Sequence, residues 1–280
     1  MTGAVFPGQW SERKGMLLAV SPQFQPPVNC CLSSTGNQIK DAETLAVQQA
    51  IYAVSASYLE NARNKYDFRL LAGHSLGFYA ALYAAGSIDF DAGFHIIRAA
   101  HDAIVQVSGA GTFGMTAIIG IKWDIIENYC RDYRDLYVAN INSATQIVVS
   151  GAAESLDALE RRANKEGALR VLRLPVRYPL HTPILSEVPD IVLQTVDGIN
   201  ISEPEIPVVD HTTGELLTSA GGIRKTLTEQ FVRRVIWRDV IRRMWSYGIR
   251  RFIEVGPGDT LSRLARWIER DAKTVSLDSV

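Results

Sequence analysis

The chain has 280 residues, with 29 Lys and Arg against 30 Asp and Glu, a net charge of −1, and a 47% hydrophobic fraction. This length supports a large domain, alone or with a smaller one, around a sizeable core, and the near-zero charge excludes nucleic acid or a membrane surface recognised by bulk charge. No stretch of about 18 apolar residues and no export-type leader is apparent, and Cys30, Cys31 and Cys130 have no metal-binding spacing, so reduced thiols in a cytoplasmic protein are expected and no metal.

The first strand is expected at Gly3 to Phe6, ending in the turn Pro7-Gly8-Gln9, and Pro26-Pro27 marks a loop. From Asp41 to Asn64, Leu45, Val47, Ala50, Ile51, Val54, Tyr58 and Leu59 recur at helical spacing, which predicts a long helix. Apolar Phe68, Leu70, Leu71 and Ala72 then run into Gly73-His74-Ser75-Leu76-Gly77, followed by the helix-like Phe78 to Tyr83. Strand, G-x-S-x-G and helix make the pattern of a nucleophile elbow, in which a strained turn projects the serine hydroxyl and glycines permit close approach. The N–H groups at the start of that helix would face an oxyanion formed at the serine, so serine acyl chemistry is the first expectation. A further helix is predicted over Asp91 to Val107.

After Gly109-Ala110-Gly111 the pattern becomes strand (Thr116–Ile121), helix (Asp124–Tyr133), strand (Leu136–Asn140), strand (Gln146–Ser150), helix (Glu154–Glu166), strand (Leu169–Leu174). Two β-α-β units in so short a span point to a ferredoxin-like subdomain. Parallel-sheet strands resume at Pro207-Val208-Val209 and at Arg251 to Val255. The expected class is therefore α/β: a parallel-sheet, α/β-hydrolase-like large domain (residues 1–112 and 179–280) with an inserted ferredoxin-like subdomain (113–178). From Arg224 to Lys273 the chain is rich in arginine, which reads either as solvated helix faces or as a docking surface for an acidic partner.

A serine nucleophile needs a base. Of the five histidines, His74 adjoins the serine and points elsewhere, as a pocket wall; His95 and His101 fall on a helix as surface or packing residues; His211 follows a strand end and stays open between the two roles. His181 lies where the chain leaves the small subdomain for the large one, and clefts between domains are where ligands bind.

The chain resembles the acyltransferases of the malonyl-CoA:acyl-carrier-protein transacylase superfamily, free-standing or within polyketide synthases. The resemblance rests on collinear motifs: Phe6-Pro7-Gly8-Gln9; the elbow; Gly111-Thr112-Phe113-Gly114-Met115; Asn140-Ile141-Asn142-Ser143-Ala144-Thr145-Gln146 through Ser150-Gly151; Leu174-Pro175 to His181; Gln230 to Trp237; and Glu254-Val255-Gly256-Pro257-Gly258. It implies Ser75 as nucleophile, His181 as its base oriented by the backbone carbonyl of Gln230, and an oxyanion hole from the N–H groups of Gln9 and Leu76. It also implies no bound cofactor, with coenzyme A or the phosphopantetheine of an acyl-carrier protein as acyl donor and acceptor.

The pattern departs from the family's malonyl enzymes at one informative place. They carry an arginine, normally followed by glycine, in the helix after the elbow, where it pairs with the substrate carboxylate. Counting from Ser87-Ile88-Asp89-Phe90 to Gly111-Thr112 puts Ala100 at that arginine's position and His101 at the glycine's. Arg98, two residues away, is turned by about 200° to another face. Phe78 and Tyr178-Pro179-Leu180 also depart, and the serine comes early, at position 75, which is expected to open one side of the cleft. The acyl site is expected to involve His74, Phe78, Ala100, His101, Asn142, Tyr178 and Leu180. The function expected is transfer of a non-carboxylated acyl or aminoacyl group between acyl-carrier proteins or from acyl-CoA, in a polyketide or related pathway by a trans-acting enzyme lacking the carboxylate-binding arginine. The alternatives are an editing acyl hydrolase, a malonyl-CoA:acyl-carrier-protein transacylase, a non-catalytic carrier-docking protein and an unrelated serine esterase.

Overall fold

A computed structural model of the chain describes residues 1–25 and 45–279. Strand β1 (Thr2–Phe6) is the pivot of a six-stranded sheet. On one side of it lie β2 (Phe68–Gly73), β7 (Val208–Val209) and β8 (Leu216–Leu217); on the other lie β9 (Arg251–Glu254) and β10 (Lys273–Ser276). All pairs are parallel except the β7–β8 edge hairpin, which runs antiparallel. Alternate residues of the central strands face opposite cores. Ala4, Phe6 and Leu71 join one apolar cluster, while Val5, Leu70, Ala72 and Phe252 join another. Helices cover both faces, which is why these strands read as unbroken apolar runs.

The first cluster is covered by α1 (Leu45–Arg63), α2 (Gly77–Ala84) and α3 (Phe90–Ser108), with α6 (Val188–Asp197) and α7 (Ala220–Glu229) beside them. The second is covered by α8 (Trp237–Ser246) and α9 (Thr260–Ile268). The expected helix over Asp41–Asn64 is seen as α1 within the described residues; its first turn, Pro26-Pro27, Cys30 and Cys31 lie outside them. Cys130 is a buried free thiol, pushed up to about 12 by burial. Helix α3 begins at Phe90, one residue before the predicted start, because the Asp89 carboxylate accepts the Ala92 N–H at 2.7 Å as its N-cap.

The remaining strands, β3 (Phe113–Ile119), β4 (Leu136–Ile141), β5 (Gln146–Ala152) and β6 (Arg170–Leu174), form an antiparallel sheet in the order β4-β5-β3-β6. With α4 (Trp123–Arg131) and α5 (Ala153–Lys165) on one face, this is the ferredoxin-like order. β3 starts three residues before its expected position, since pairing with β5 continues from Met115↔Ser150 through Gly114↔Gly151 to Phe113↔Ala152. The other face of this sheet carries Met115, Ala139 and Val148 and packs against Val176 of the loop after β6 and against Trp10, Tyr178 and Leu180, so it roofs the carboxyl end of the large sheet. A parallel bridge between Asn140 and Val235, bonded at 2.8 Å in each direction, ties β4 of this sheet to the segment that leads into α8.

Candidate active site

β1 and β2 end side by side, with Phe6 in register with Gly73. Ligand sites of open α/β sheets form at such carboxyl ends, beside the point where strand order reverses, and here the reversal is at β1. Ser75 takes φ +51°, a left-handed conformation that costs a non-glycine residue about 1–3 kcal/mol and must be held by its surroundings. The two elbow glycines meet a separate demand. A Cβ on Gly77 would lie 2.1 Å from the Phe6 carbonyl oxygen, and one on Gly73 would lie 2.2 Å from the Gly77 backbone. The turn is closed by hydrogen bonds from Gly77 N–H to His74 O (3.0 Å) and Phe78 N–H to Ser75 O (2.9 Å), which begin one residue after Leu76.

The Ser75 hydroxyl is 2.8 Å from His181 Nε2. His181 Nδ1 lies 3.0 Å from the Gln230 carbonyl and 3.1 Å from that of Arg233. Carbonyls only accept, so Nδ1 carries the hydrogen and Nε2 is the lone pair that receives the serine O–H. Burial lowers the His181 pKa below the ordinary value of 6.5, against the raising effect of the two carbonyls, so the ring is neutral at neutral pH. His181, like Ser75, has a positive φ, +60°. The second carbonyl, from Arg233, was not foreseen from the sequence.

Beside the pair lies a cleft with about 610 Å³ of free space, part of it open to solvent, lined by Ser75, Leu76, His181, Gln9 and Gln230. Ile97, Ala100, His101 and Ile104 form one stripe of α3 along it, and Tyr178, Leu180, Tyr79 and Phe231 complete an apolar wall. Their 3, 1, 3 spacing puts them on one helical face, and Tyr79 follows the serine by one helical turn; Ile97, Ile104 and Tyr79 were not foreseen as site residues from the sequence. Among the described residues no lysine or arginine lines this cleft, and Arg98 is exposed. His101 stands near Gln48 (Nδ1 to Nε2, 3.4 Å), and burial lowers its pKa.

Three expected acyl-site residues lie elsewhere. Phe78 is fully buried, its ring stacked 4.9 Å from His211, because it follows Ser75 by three residues on a helix whose other face meets the cleft. His74 donates from Nε2 to Asn142 Oδ1 at 2.8 Å and packs edge-on to Trp237, so both form the flank of the elbow and not the acyl wall. Burial brings His74 to about 4.

His181 also lines a second, larger cleft, with about 1180 Å³ of free space, on which Arg131, Arg134, Arg233, Arg234, Glu127, Tyr137 and Thr212 open. Glu127 pairs with Arg234 at 2.7 Å, and Glu229 with Arg233. No group of three His, Cys, Asp or Glu among the described residues could hold a metal ion, and no described helix is long and apolar enough to cross a membrane.

A serine on a strained turn, a carbonyl-oriented histidine and an apolar cleft are an acyl-transfer arrangement, and the comparisons agree with it. The model of the family described as "Acyl transferase domain" matches residues 5–266. The polyketide biosynthesis malonyl CoA-acyl carrier protein transacylase PksC of Bacillus subtilis is 30% identical over 288 residues, 97% of this chain and 98% of that protein. The solved malonyl CoA-acyl carrier protein transacylase of Coxiella burnetii is 29% identical, with a TM-score of 0.90 over 99% of this chain and 93% of the other. A malonyl-transacylase solved in complex with its type II polyketide synthase acyl-carrier protein is 26% identical, with a TM-score of 0.91 over 99% and 96%. With the fold, the site and the length of the match in accord, this chain belongs to the acyl transferase domain family and is an acyltransferase.

Proposed function

We propose that the chain moves a non-carboxylated acyl group between pantetheine thioesters, from coenzyme A or from one carrier protein to another, through an acyl-Ser75 intermediate in a polyketide-type pathway. His181 Nε2 takes the Ser75 proton as Oγ attacks the thioester carbonyl. The N–H groups of Gln9 and Leu76 are assigned to the oxyanion, at roughly 3 kcal/mol per donor. Collapse expels the thiolate, which takes the proton from His181; a second pantetheine thiol then gives its proton to His181 and attacks the Ser75 ester, and as the new thioester leaves, His181 returns that proton to Oγ, restoring the free serine. The observation that carries the specificity is Ala100, 5% exposed on the cleft wall, in a cavity without lysine or arginine among the described residues. A carboxylate placed there would lose its solvation and gain no bidentate partner, whereas a neutral chain gains apolar contact.

The acceptor arm is assigned to the arginine-lined cleft on the other side of His181, which suits an acidic carrier protein and its phosphate. The small subdomain, proposed as residues 113–178, supplies Arg131 and Arg134 to that cleft, and the C-terminal arginine-rich stretch supplies Arg233 and Arg234.

Intact-protein mass spectrometry of the chain with carrier proteins bearing acetyl, longer neutral acyl or malonyl groups tests the reading. Neutral groups should load Ser75 in clear preference to malonyl, and Ala100→Arg should move the preference toward malonyl, with His101 limiting the gain by crowding the new side chain. Malonyl loading as fast as any neutral group would instead mark a malonyl transacylase. Loss of the acyl group to water with no transfer to a second carrier would mark a hydrolase.

A further inference from the structure

The elbow raises a question that the serine–histidine pair does not answer: what holds the backbone of Ser75 in its left-handed conformation. Its neighbours are secured by other backbone groups. His74 N–H donates to Phe6 O at 3.0 Å, and Gly77 and Phe78 close the turn, but the Ser75 N–H has no carbonyl among those bonds. It donates to the ring of a residue far along the chain, His211 Nδ1, at 3.0 Å.

His211 is fully buried. One face of its ring stacks on Phe78 (4.9 Å, 22° between planes), and its edge meets the His181 ring at 6.4 Å and 89°. Its backbone carbonyl accepts the N–H of Ile236 at 2.8 Å, which anchors the segment whose Gln230 and Arg233 carbonyls orient His181. The adjacent Asp210 fixes the turn, accepting from Thr212 N–H at 2.7 Å and from the Thr226 hydroxyl at 2.8 Å. One residue therefore touches the nucleophile's backbone, packs beside the base and is tied to the segment that aims the base.

We infer that His211 is a positioning residue, whose neutral ring accepts the Ser75 N–H through Nδ1 and so keeps Oγ at hydrogen-bonding distance from His181 Nε2. The inference rests on Ser75 as nucleophile and His181 as base. It makes no use of the acyl group's identity. An acceptor at the Nδ1 place is what matters; a side chain of similar bulk without one leaves a buried donor unpaired and frees the turn to relax.

The test is the rate of Ser75 labelling by a fluorophosphonate probe, with probe affinity and rate constant separated, in wild type and in His211→Asn, His211→Phe and His211→Leu. The Asn oxygen falls near the Nδ1 place and retains the acceptor; Phe and Leu retain bulk alone. The expected result is a fall of roughly 100-fold in the labelling rate constant for His211→Phe, with little change in affinity, and recovery to within about tenfold in His211→Asn. If His211→Phe does not fold, as judged by thermal melting, His211→Leu takes its place. Equal labelling of the folded acceptor-free variants and wild type would overturn the inference, as would an equal loss in His211→Asn and His211→Phe, which would leave His211 a packing residue. No labelling of wild-type Ser75 would sink the nucleophile assignment itself, a separate failure.

Discussion

At the scale of single residues, the site is a set of hydrogen bonds that leave few choices of proton position. Gln230 and Arg233 offer only carbonyls to His181, so Nε2 is free to act as base, and no carboxylate is needed to select that tautomer. Ser75→Ala should abolish acyl-enzyme formation, and His181→Ala should slow it by roughly 10³-fold or more, since the two act as a unit; an acyl adduct of normal mass on the folded Ser75→Ala protein would remove the mechanism. The pH dependence follows from burial. His181 is lowered from 6.5, so the base form persists to lower pH than for a solvated histidine, and the rate falls only as pH drops through that lowered value. The acid limb of the Ser75 acylation rate should accordingly have its midpoint below 6.5; a midpoint above it would mean that the folded protein stabilises the imidazolium.

Secondary-structure elements carry the site through how closely they approach each other. β1, the elbow and α2 come within contact distance only because Gly73 and Gly77 have no side chains. A methyl group on Gly77 would lie 2.1 Å from Phe6 O and 2.7 Å from Pro7 O, both rigid backbone atoms. Gly77→Ala should therefore cost roughly 1–3 kcal/mol by overpacking and displace the Pro7-Gly8-Gln9 turn, with acylation lost more than stability. Denaturant unfolding and Ser75 labelling measured together check this, and a variant equal to wild type in both would show that the approach is looser. Helix α3 has its own division of labour: Ile97, Ala100, His101 and Ile104 face the cleft while His95 and Arg98 are exposed. The spacing of 3.6 residues per turn accounts for that division.

For the whole molecule, His181 stands where two clefts meet, one apolar, walled by α3 and shared with Ser75, the other lined by four arginines and one glutamate. The arginines come from α4 and the residues just after it, and from the stretch after α7, so neither chain segment alone makes the surface. Transfer to an acidic carrier protein should weaken as salt screens the encounter. Charge reversal at Arg134 and Arg233 should lower carrier kcat/KM by about tenfold at low salt, whereas Arg243, exposed on α8 over the Tyr247 ring and outside the cleft, should tolerate reversal. Unchanged carrier kinetics in Arg134→Glu and Arg233→Glu would return these side chains to solvated helix faces.

What the sequence determined by itself is local and periodic. The elbow, the apolar runs of the central strands, the helix after the elbow and the two β-α-β units depend on neighbours within a few residues, and such patterns persist in the linear chain. Strands β8 (Leu216–Leu217) and β10 (Lys273–Ser276) were not expected from the sequence: both are edge strands, only partly buried, and neither carries the unbroken apolar run of the strands between them. The tertiary structure alone decided which distant groups meet. His211 reaches the Ser75 N–H across 136 residues, the Arg233 carbonyl joins that of Gln230 on His181, and Phe78 turns from the acyl cleft to stack on His211. The reason is physical: a hydrogen bond or ring contact between residues remote in sequence depends on the relative placement of two packed layers, which no local spacing encodes.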